Sequence, residues 1–208
     1  MQKIKAILFD LGGVILNLDT QKTIDSFIAL GADLNVFQTK SAIFEMYECG
    51  KITTSDFILS LKKELPEYIS EALIIEAWNA MLLDLPAQSL EILKELKSKY
   101  KLFLFSNTNE LHISGFDKIF EKSYPLDSWK NYFDAIYYSH NIGLRKPNAS
   151  VFNFILMEQN LTARETIFID DTEMHCNAAS ELGLKTIHTK QVLGTWFFEE
   201  LKKIEEEK

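Results

Sequence analysis

Short, uninterrupted runs of apolar residues recur along the chain and predict the strands of a sheet. The clear runs cover residues 4–9, 102–105, 135–138 and 166–169, and a weaker run covers residues 185–187. Apolar residues that do not alternate with polar ones are typical of strands buried on both faces, as in parallel sheets covered by helices. The pattern therefore predicts an α/β fold with a doubly wound parallel sheet.

Helical periodicity separates these runs. Residues 87–100 and 148–159 each follow a proline, which is favoured in the first turn of a helix, and residues 173–182 precede Gly183, a common helix terminator. Strands that alternate with helices in this way are characteristic of a sheet covered by helices on both faces.

Residues 20–82 contain no comparable strand and favour helices instead. We expect helices over residues 21–30, 34–48, 55–65 and 67–82. The chain is therefore predicted to consist of an α/β core, formed by residues 1–16 and 86–208, and an inserted helical domain, formed by residues 17–85.

Composition and charge narrow the classes of partner. The 208 residues include 22 basic and 30 acidic ones, and the formal charge of −8 argues against nucleic acid or an anionic membrane as the main partner. Two cysteines do not make a disulfide framework, and the N-terminal apolar run is too short for a signal peptide or a spanning helix. We expect a cytoplasmic protein that acts on a small molecule, as a monomer or a weak homodimer.

Polar side chains follow four of the predicted strands. Ligands of parallel α/β sheets bind beyond the carboxyl ends of the strands, so these residues are expected to converge. Carboxylates could hold Mg²⁺ or attack phosphorus, a hydroxyl and an amide could bind phosphoryl oxygens, and a lysine could offset negative charge. The residues concerned are Asp10, Ser106, Asn107, Lys146, Asp170 and Asp171.

Each of these residues also has a simpler structural interpretation. Asp10 could belong to a turn, Ser106 and Asn107 could cap the next helix, and the acidic pair could lie at a helix start. Arg145 is expected to be exposed, and Asn148 is expected to cap the helix that follows it. The order and placement of the whole set favour a shared site.

Four segments resemble the haloacid dehalogenase-like (HAD) hydrolase superfamily. They are FDLGGVIL at 9–16, LFSNTN at 104–109, GLRKP at 143–147 and FIDDTEMHCNAASELG at 168–183. The resemblance implies a Rossmann-like core with a small helical cap after the first motif. Further segments, at 47–57, 106–112 and 137–152, resemble the bacterial α-D-glucose-1-phosphate phosphatase group, in which a Gly-x-Ile turn of the cap faces the site.

The resemblance implies a phosphatase mechanism for the core residues. Asp10 would attack phosphorus and form an aspartyl-phosphate, which water then hydrolyses. Ser106 and the backbone of Asn107 would hold the transferring phosphoryl group, and Lys146 would pair with both the nucleophile and the phosphoryl oxygens. The substrate is expected to be a small phosphate ester, and a sugar-1-phosphate in particular.

The resemblance also implies an Mg²⁺ site. Its ligands would be Asp10, the backbone carbonyl of Gly12, Asp170 and Asp171. Such a cation would offset the repulsion between an anionic carboxylate and a dianionic phosphate.

Gly12 departs from the commonest phosphatase pattern, which has a second Asp at this position to protonate the leaving oxygen. General acid–base catalysis typically contributes about 10²–10⁴-fold, so another group or an easier leaving group is needed. Asp19, Glu48 and His175 are candidates. Each has a stronger structural interpretation, as a helix cap, a solvated helix face and a surface residue respectively.

Two other functions remain open from the sequence. A 2-haloacid dehalogenase would use Asp10 on carbon without a metal, although the acidic pair and Gly12 argue against it. A binding or regulatory protein could keep the fold and lose activity, and Gly12 alone supports that interpretation.

Overall fold

Five parallel strands form the centre of the molecule, and each corresponds to a predicted run. The computed structural model describes residues 3–33, 35, 41–124 and 128–206. The sheet order is β3-β2-β1-β4-β5, which confirms the doubly wound topology. The strands are β1 (Ala6–Phe9), β2 (Lys101–Ser106), β3 (Ala135–Tyr138), β4 (Thr166–Asp170) and β5 (Lys185–His188).

The register of the central strands aligns their carboxyl ends. Phe9 at the end of β1 lies opposite Leu104 of β2 and Ile169 of β4. The polar residues that follow these positions therefore emerge at one edge of the sheet, as the sequence predicts.

Helices occupy the insertion between β1 and β2. Side-chain caps begin three of them: Asp19 accepts a hydrogen bond from the backbone N–H of Gln21, Thr53 forms a capping box with Asp56, and Ser70 accepts from the N–H of Leu73. The helices are α1 (Thr20–Ala29), α2 (Ser41–Glu48), α3 (Thr54–Lys62) and α4 (Glu71–Asn79).

Among the described residues of the insertion, these helices agree with the predicted ones in number and order, but their ends differ. The predicted helix 34–48 begins among residues 34 and 36–40, which lie outside the described residues, and the described part corresponds to α2. The predicted helix 67–82 is too long at both ends. Ser70 supplies the cap for α4, so the residues before it do not belong to the helix.

The remaining helices cover the sheet. Two apolar clusters fill the spaces between the helices and the two faces of the sheet, one with Phe9, Leu104 and Phe197, the other with Phe105 and Phe152. The helices are α5 (Ala87–Lys97), α6 (Glu110–Ser123), α7 (Ser139–Ile142), α8 (Ala149–Glu158), α9 (Glu173–Glu181) and α10 (Trp196–Glu206), with 3₁₀ turns at Trp129–Tyr132 and Ala163–Glu165.

The inserted helices share a third apolar cluster. It contains Phe27, Tyr47, Phe57 and Trp78, and it also includes Leu111 of α6. The rings of Tyr47 and Phe57 stack 4.1 Å apart, and the Trp78 ring meets Phe57 edge-on at 4.8 Å. A helix of the core therefore completes the interior of the insertion.

The two connections between the insertion and the core pair with each other. The N–H of Asn17 donates to the carbonyl of Asp84 at 3.1 Å, and the N–H of Leu83 donates to the carbonyl of Asn17 at 3.1 Å. Leu18 lies opposite Leu82 in this short ladder. The pairing holds the Leu18 side chain close to the end of β1.

In the part of the chain that the structure describes, no helix is both long enough and apolar enough to cross a membrane.

Candidate active site

Lys146 lies at the centre of the polar cluster at the strand ends. Its Nζ atom is 2.9 Å from Oδ1 of Asp10 and 2.6 Å from Oδ2 of Asp170, and it donates to the carbonyl of Phe105 at 3.1 Å. The Lys146 side chain is fully buried. The structure thus brings together residues from three predicted motifs that are separated by up to 160 positions in the chain.

The surroundings of Lys146 keep it charged. Burial by itself would lower its pKa, but the carboxylates of Asp10 and Asp170 outweigh burial and raise the pKa above its usual range. The rings of Phe105 and Phe168 lie 5.0 Å and 5.4 Å from Nζ. The ammonium is therefore a fixed positive charge in an apolar setting.

Asn107 holds the main chain of Lys146 at both of its hydrogen-bonding groups. The Asn107 side chain accepts from the N–H of Lys146 at 2.9 Å and donates to the Lys146 carbonyl at 3.0 Å. The loop after β2 is thereby fixed to the loop that carries the lysine. Sequence reasoning assigns Asn107 a role through its backbone, and this positioning role of the side chain is an addition.

The two carboxylates beside Lys146 differ in acidity. Burial raises the pKa of Asp10 to about 6, with the Asp170 charge adding to the increase and Lys146 opposing it. Burial would also raise the pKa of Asp170, but Lys146 and His175 more than compensate and hold it at about 2. Asp170 is therefore a permanent anion that anchors the lysine.

A third carboxylate completes an acidic cluster. One oxygen each from Asp10, Asp170 and Asp171 lies within 4.8 Å of the others. Gly13 adopts a left-handed φ of 71°, and a Cβ atom at this position would overlap the Asp171 carboxylate. The glycine lets the main chain after β1 approach Asp171 closely.

His175 is tied to the same cluster, contrary to its expected place on the surface. Its Nδ1 atom lies 3.1 Å from both carboxylate oxygens of Asp170, and its side chain is only 14% exposed. Oδ1 of Asp170 also accepts from the backbone N–H of Thr172 at 2.8 Å. The surface prediction was wrong because the first turn of α9 returns over Asp170.

Leu18 explains the glycine at position 12. The φ angle of Gly12 lies outside the left-handed region, so the backbone would accept other residues. A Cβ atom built at Gly12 would overlap Cδ1 of Leu18. An apolar side chain therefore fills the space that a side chain at position 12 would need.

A cavity of about 300 Å³ opens beside the polar cluster, between the sheet edge and the inserted helices. Its polar end is formed by the strand-end residues, including Asp10, Ser106, Asn107, Lys146 and Asp171. Apolar side chains from the insertion and from α6 form the other walls. The volume is at the small end of the range for sites that bind small molecules.

A family model described as "Haloacid dehalogenase-like hydrolase" matches residues 7–189. The chain belongs to this family. The match spans the strands, the inserted helices and the whole polar cluster, so the HAD resemblance inferred from the four motifs is confirmed.

Two curated HAD relatives are phosphatases. The chain is 31% identical over 193 residues to D-ribitol-5-phosphate phosphatase of Bacteroides thetaiotaomicron, covering 88% of this chain and 90% of that one. It is 29% identical over 195 residues to a sesquiterpene phosphatase of Aspergillus oryzae, covering 92% of each.

A solved HAD structure is also similar. A wild-type HAD family enzyme from Bacteroides thetaiotaomicron, in complex with magnesium and inorganic phosphate, superposes with a TM-score of 0.79 at 34% identity. The similarity covers 89% of this chain and 93% of that one.

Two cavity residues that sequence reasoning missed, Trp78 and His112, form one hydrogen-bonded unit with Asn109. The Asn109 side chain accepts from Nε1 of Trp78 at 3.3 Å and donates to Nδ1 of His112 at 3.1 Å, while Nε2 of His112 donates to the Trp78 carbonyl at 3.2 Å. The Trp78 and His112 rings stack 4.9 Å apart. The spacing of Asn109 and His112 by three residues signals a helix cap, but nothing in the sequence points to Trp78.

Glu48 and Arg145 form a link between the HAD cap and core that the sequence does not predict. One guanidinium nitrogen of Arg145 lies 3.0 Å from Oε2 of Glu48, and another lies 2.9 Å from Oε1 of Glu45. The Glu48 side chain is 24% exposed and lines the cavity, so its assignment to a solvated face was wrong. Arg145, expected to be exposed, is 31% exposed because α2 covers it.

Two other candidates follow their structural interpretations. Asp19 caps α1 and Asn148 caps α8, as expected. The Ser106–Asn107 pair does not cap α6, because Asn109 does. The turn at Gly50, which the resemblance to the glucose-1-phosphate phosphatase group directs toward the site, packs against the His140 carbonyl of α7.

Proposed function

We propose that this chain is a Mg²⁺-dependent phosphatase that hydrolyses a small phosphate monoester through an aspartyl-phosphate on Asp10. The observation that supports this most directly is the buried ammonium of Lys146 between Asp10 and Asp170, in the wall of a cavity. A dianionic phosphate placed there would meet a fixed positive charge beside a carboxylate nucleophile.

The donor set suits a hard divalent cation. Asp10, Asp170 and Asp171 offer carboxylate oxygens within 4.8 Å of one another, and Mg²⁺ prefers oxygen ligands together with substrate phosphate. The carbonyl of Gly12 is proposed as a further ligand. Bound Mg²⁺ would draw negative charge from the phosphoryl oxygens and favour the ionised form of Asp10.

In the proposed reaction, the polar residues that follow the strands have separate roles. A carboxylate oxygen of Asp10 attacks phosphorus, and the bond from phosphorus to the ester oxygen breaks with its electron pair on that oxygen, which takes a proton from water. Lys146 and Ser106 hold phosphoryl oxygens together with the backbone N–H of Asn107. The side chain of Asn107 keeps Lys146 in place. Water then attacks the aspartyl-phosphate, which releases inorganic phosphate and regenerates Asp10.

The two curated relatives support phosphate ester hydrolysis but differ in the leaving group that their names describe. One acts on a polyol phosphate and the other on a sesquiterpene phosphate. A sugar phosphate, and a sugar-1-phosphate above all, is the narrower substrate class that the sequence favours. The ribitol phosphate relative supports it, so sugar phosphates belong in the test.

The experiment measures phosphate release from a panel of sugar, alkyl and aryl phosphates, with Mg²⁺ and with EDTA. Asp10→Asn should lose more than about 1,000-fold in kcat, because the nucleophile is removed. Asp25→Asn, which changes an exposed aspartate of α1, is the matched control and should retain full activity.

Phosphate release that survives EDTA or Asp10→Asn would contradict the proposal. Halide release from 2-haloacids without metal would replace it with the dehalogenase alternative.

A further inference from the structure

The leaving-group end of the cavity is apolar. Phe44, Trp78, Leu82, Ile113 and Phe116 line it, together with Leu18, which lies against Gly12. A hydroxylated leaving group would give up hydrogen bonds to water on entering such a space, whereas an apolar group would gain by leaving water.

The polar side chains in these walls are already engaged. Both ring nitrogens of His112 are hydrogen-bonded, to Asn109 and to the Trp78 carbonyl, and the indole N–H of Trp78 is bound by Asn109. Burial also lowers the pKa of His112 to about 4, so the ring is neutral near pH 7. The ring nitrogens of Trp78 and His112 are therefore not available to hydrogen-bond a bound molecule.

The two cavity side chains that could take the place of an acid at position 12 are already held by partners. Leu18 occupies the space beside Gly12, Glu48 is bound by Arg145, and His175 is bound to Asp170 through Nδ1. A leaving oxygen of low basicity does not depend on a proton from either of them.

A phenolate satisfies both conditions. A phenol has a pKa of about 10, as in tyrosine. A simple alcohol is far less acidic, close to water at about 16. A single aromatic ring is compact, as a cavity of about 300 Å³ requires, and its apolar surface suits the apolar walls.

We propose that the substrate of this site is an aryl phosphate monoester, whose ring occupies the space bounded by Leu18, Trp78 and Leu82. This rests on the proposed phosphatase function. A carboxylate oxygen of Asp10 forms the bond to phosphorus, and the bond from phosphorus to the aryl oxygen breaks with its electron pair on that oxygen. The phenolate takes a proton from water, and hydrolysis of the aspartyl-phosphate yields phosphate.

Four phosphate esters are compared, and their leaving groups differ independently in polarity and in basicity. Phenyl phosphate is apolar with a weakly basic leaving group, and glucose-1-phosphate is polar with a leaving group less basic than a simple alkoxide. Cyclohexylmethyl phosphate is apolar with a basic leaving group, and ribitol-5-phosphate is polar with a basic one. The kcat and KM of each are measured with Mg²⁺, with EDTA and with Asp10→Asn.

Phenyl phosphate is expected to exceed glucose-1-phosphate at least about tenfold in kcat/KM, chiefly through KM, because of the apolar walls. It should exceed cyclohexylmethyl phosphate at least about 100-fold in kcat, because no general acid assists the alkoxide. Equal or better turnover of either sugar phosphate would overturn the aryl assignment alone. Absence of Mg²⁺- and Asp10-dependent release from all four esters would overturn the phosphatase function and the assignment together.

A pair of methionine substitutions tests the wall directly. Met81 lines the cavity, whereas Met157 is 81% exposed on α8. Met81→Gln adds a polar group of similar shape and should lower the ratio of kcat/KM for phenyl phosphate to that for glucose-1-phosphate about tenfold. Met157→Gln should leave the ratio unchanged. An unchanged ratio in Met81→Gln would place the leaving group elsewhere and overturn the proposal.

Discussion

Leu18 and Gly12 show how one contact can decide the chemistry of a site. Leu18 reaches the end of β1 because its backbone pairs with the segment that leads back from the insertion. An acid at position 12 would have to displace this side chain, which is only half-buried and can turn. The glycine and the leucine are therefore matched in size, and an acid at position 12 has its full space only when Leu18 is shortened as well.

Introducing an acid at position 12 tests the relation between Gly12 and Leu18. The double variant Gly12→Asp with Leu18→Ala should raise kcat for cyclohexylmethyl phosphate about 100-fold, since a general acid is typically worth about 10²–10⁴-fold and an inserted one is imperfectly placed. Gly12→Asp alone should give a much smaller gain, because Leu18 competes for the space. The effect on phenyl phosphate should be small, because its leaving group does not need the proton.

The control is Leu18→Ala alone, which creates space without an acid. If it accelerates the alkyl ester as much as the double variant does, the gain comes from space and not from proton transfer.

Asn107 acts through the main chain of Lys146, and this too can be tested. Asn107→Ala removes both hydrogen bonds to the lysine backbone. A displacement of about 1 Å at a reacting group can cost about 10²-fold, so kcat should fall by up to that factor with little change in KM. Steady-state kinetics would show this, with Asn153→Ala on the exposed face of α8 as the control. A rise in KM with unchanged kcat would instead indicate a role in substrate binding.

At the level of helices, Asn109 joins the cap to the core. It begins α6 by accepting from the N–H of His112 at 3.0 Å, and it holds Trp78 at the end of α4. Tyr47 of α2 adds a second contact, because its hydroxyl accepts from the N–H of Leu111 at 3.3 Å. The start of α6 is therefore the place where both parts of the molecule depend on the same hydrogen bonds.

Removing Asn109 should cost more than removing an ordinary helix cap. Asn109→Ala loses the cap and leaves buried polar atoms of Trp78 and His112 unpaired, so unfolding free energy should fall by about 2–4 kcal/mol. Asn148→Ala, an exposed cap of α8, should cost about 1 kcal/mol. Urea denaturation measures both. Equal losses would show that the Trp78 and His112 contacts contribute nothing to stability.

The strands could be predicted from the sequence, whereas the bounds of α6 could not. Strands buried on both faces leave continuous apolar runs, and the run at 166–169 corresponds to β4 almost residue for residue. Gly115 lowers the helix propensity of α6 by about 1 kcal/mol relative to alanine. A tertiary contact accounts for the glycine at this position, because a Cβ atom there would lie 2.8 Å from Cδ1 of Leu82.

Tertiary contacts also limit how much of the site could be predicted from the sequence. The strand-end residues Asp10, Lys146 and Asp170 could be found because each follows an apolar run in the sequence or belongs to a motif. The contacts of Leu18 with Gly12 and of Arg145 with Glu48 join positions with no local pattern, since only the folded cap brings them together. The cavity walls, and with them the leaving group, therefore had to come from the structure.

The whole molecule should unfold as one unit, although the sequence predicts two domains. The apolar cluster of the cap includes Leu111 of the core, and Asn109 holds Trp78. A variant with Trp129→Phe and Trp196→Phe retains Trp78 as the single tryptophan reporter, located in the cap. Its fluorescence and the far-ultraviolet circular dichroism should give the same urea midpoint. An earlier fluorescence midpoint would mean that the predicted domain 17–85 unfolds on its own.

The neutral state of His112 makes the stability of the whole molecule depend on pH. Burial lowers its pKa to about 4 in the folded state, while the unfolded chain binds the same proton near pH 6.5. The unfolded state therefore holds more protons between these values, and stability falls as pH decreases from about 6.5 to about 4. The loss can reach about 3 kcal/mol, from about 1.4 kcal/mol for each unit of pKa difference.

Urea denaturation at pH 7 and at pH 4.5 isolates this contribution when wild type is compared with His112→Gln. The variant has no proton to take up at this position, so its stability should fall by about 2–3 kcal/mol less over the interval. His188→Gln, at the exposed last residue of β5, should keep the wild-type dependence. If His112→Gln keeps it as well, the folded and unfolded states bind the His112 proton equally, and burial does not hold the ring in its neutral form.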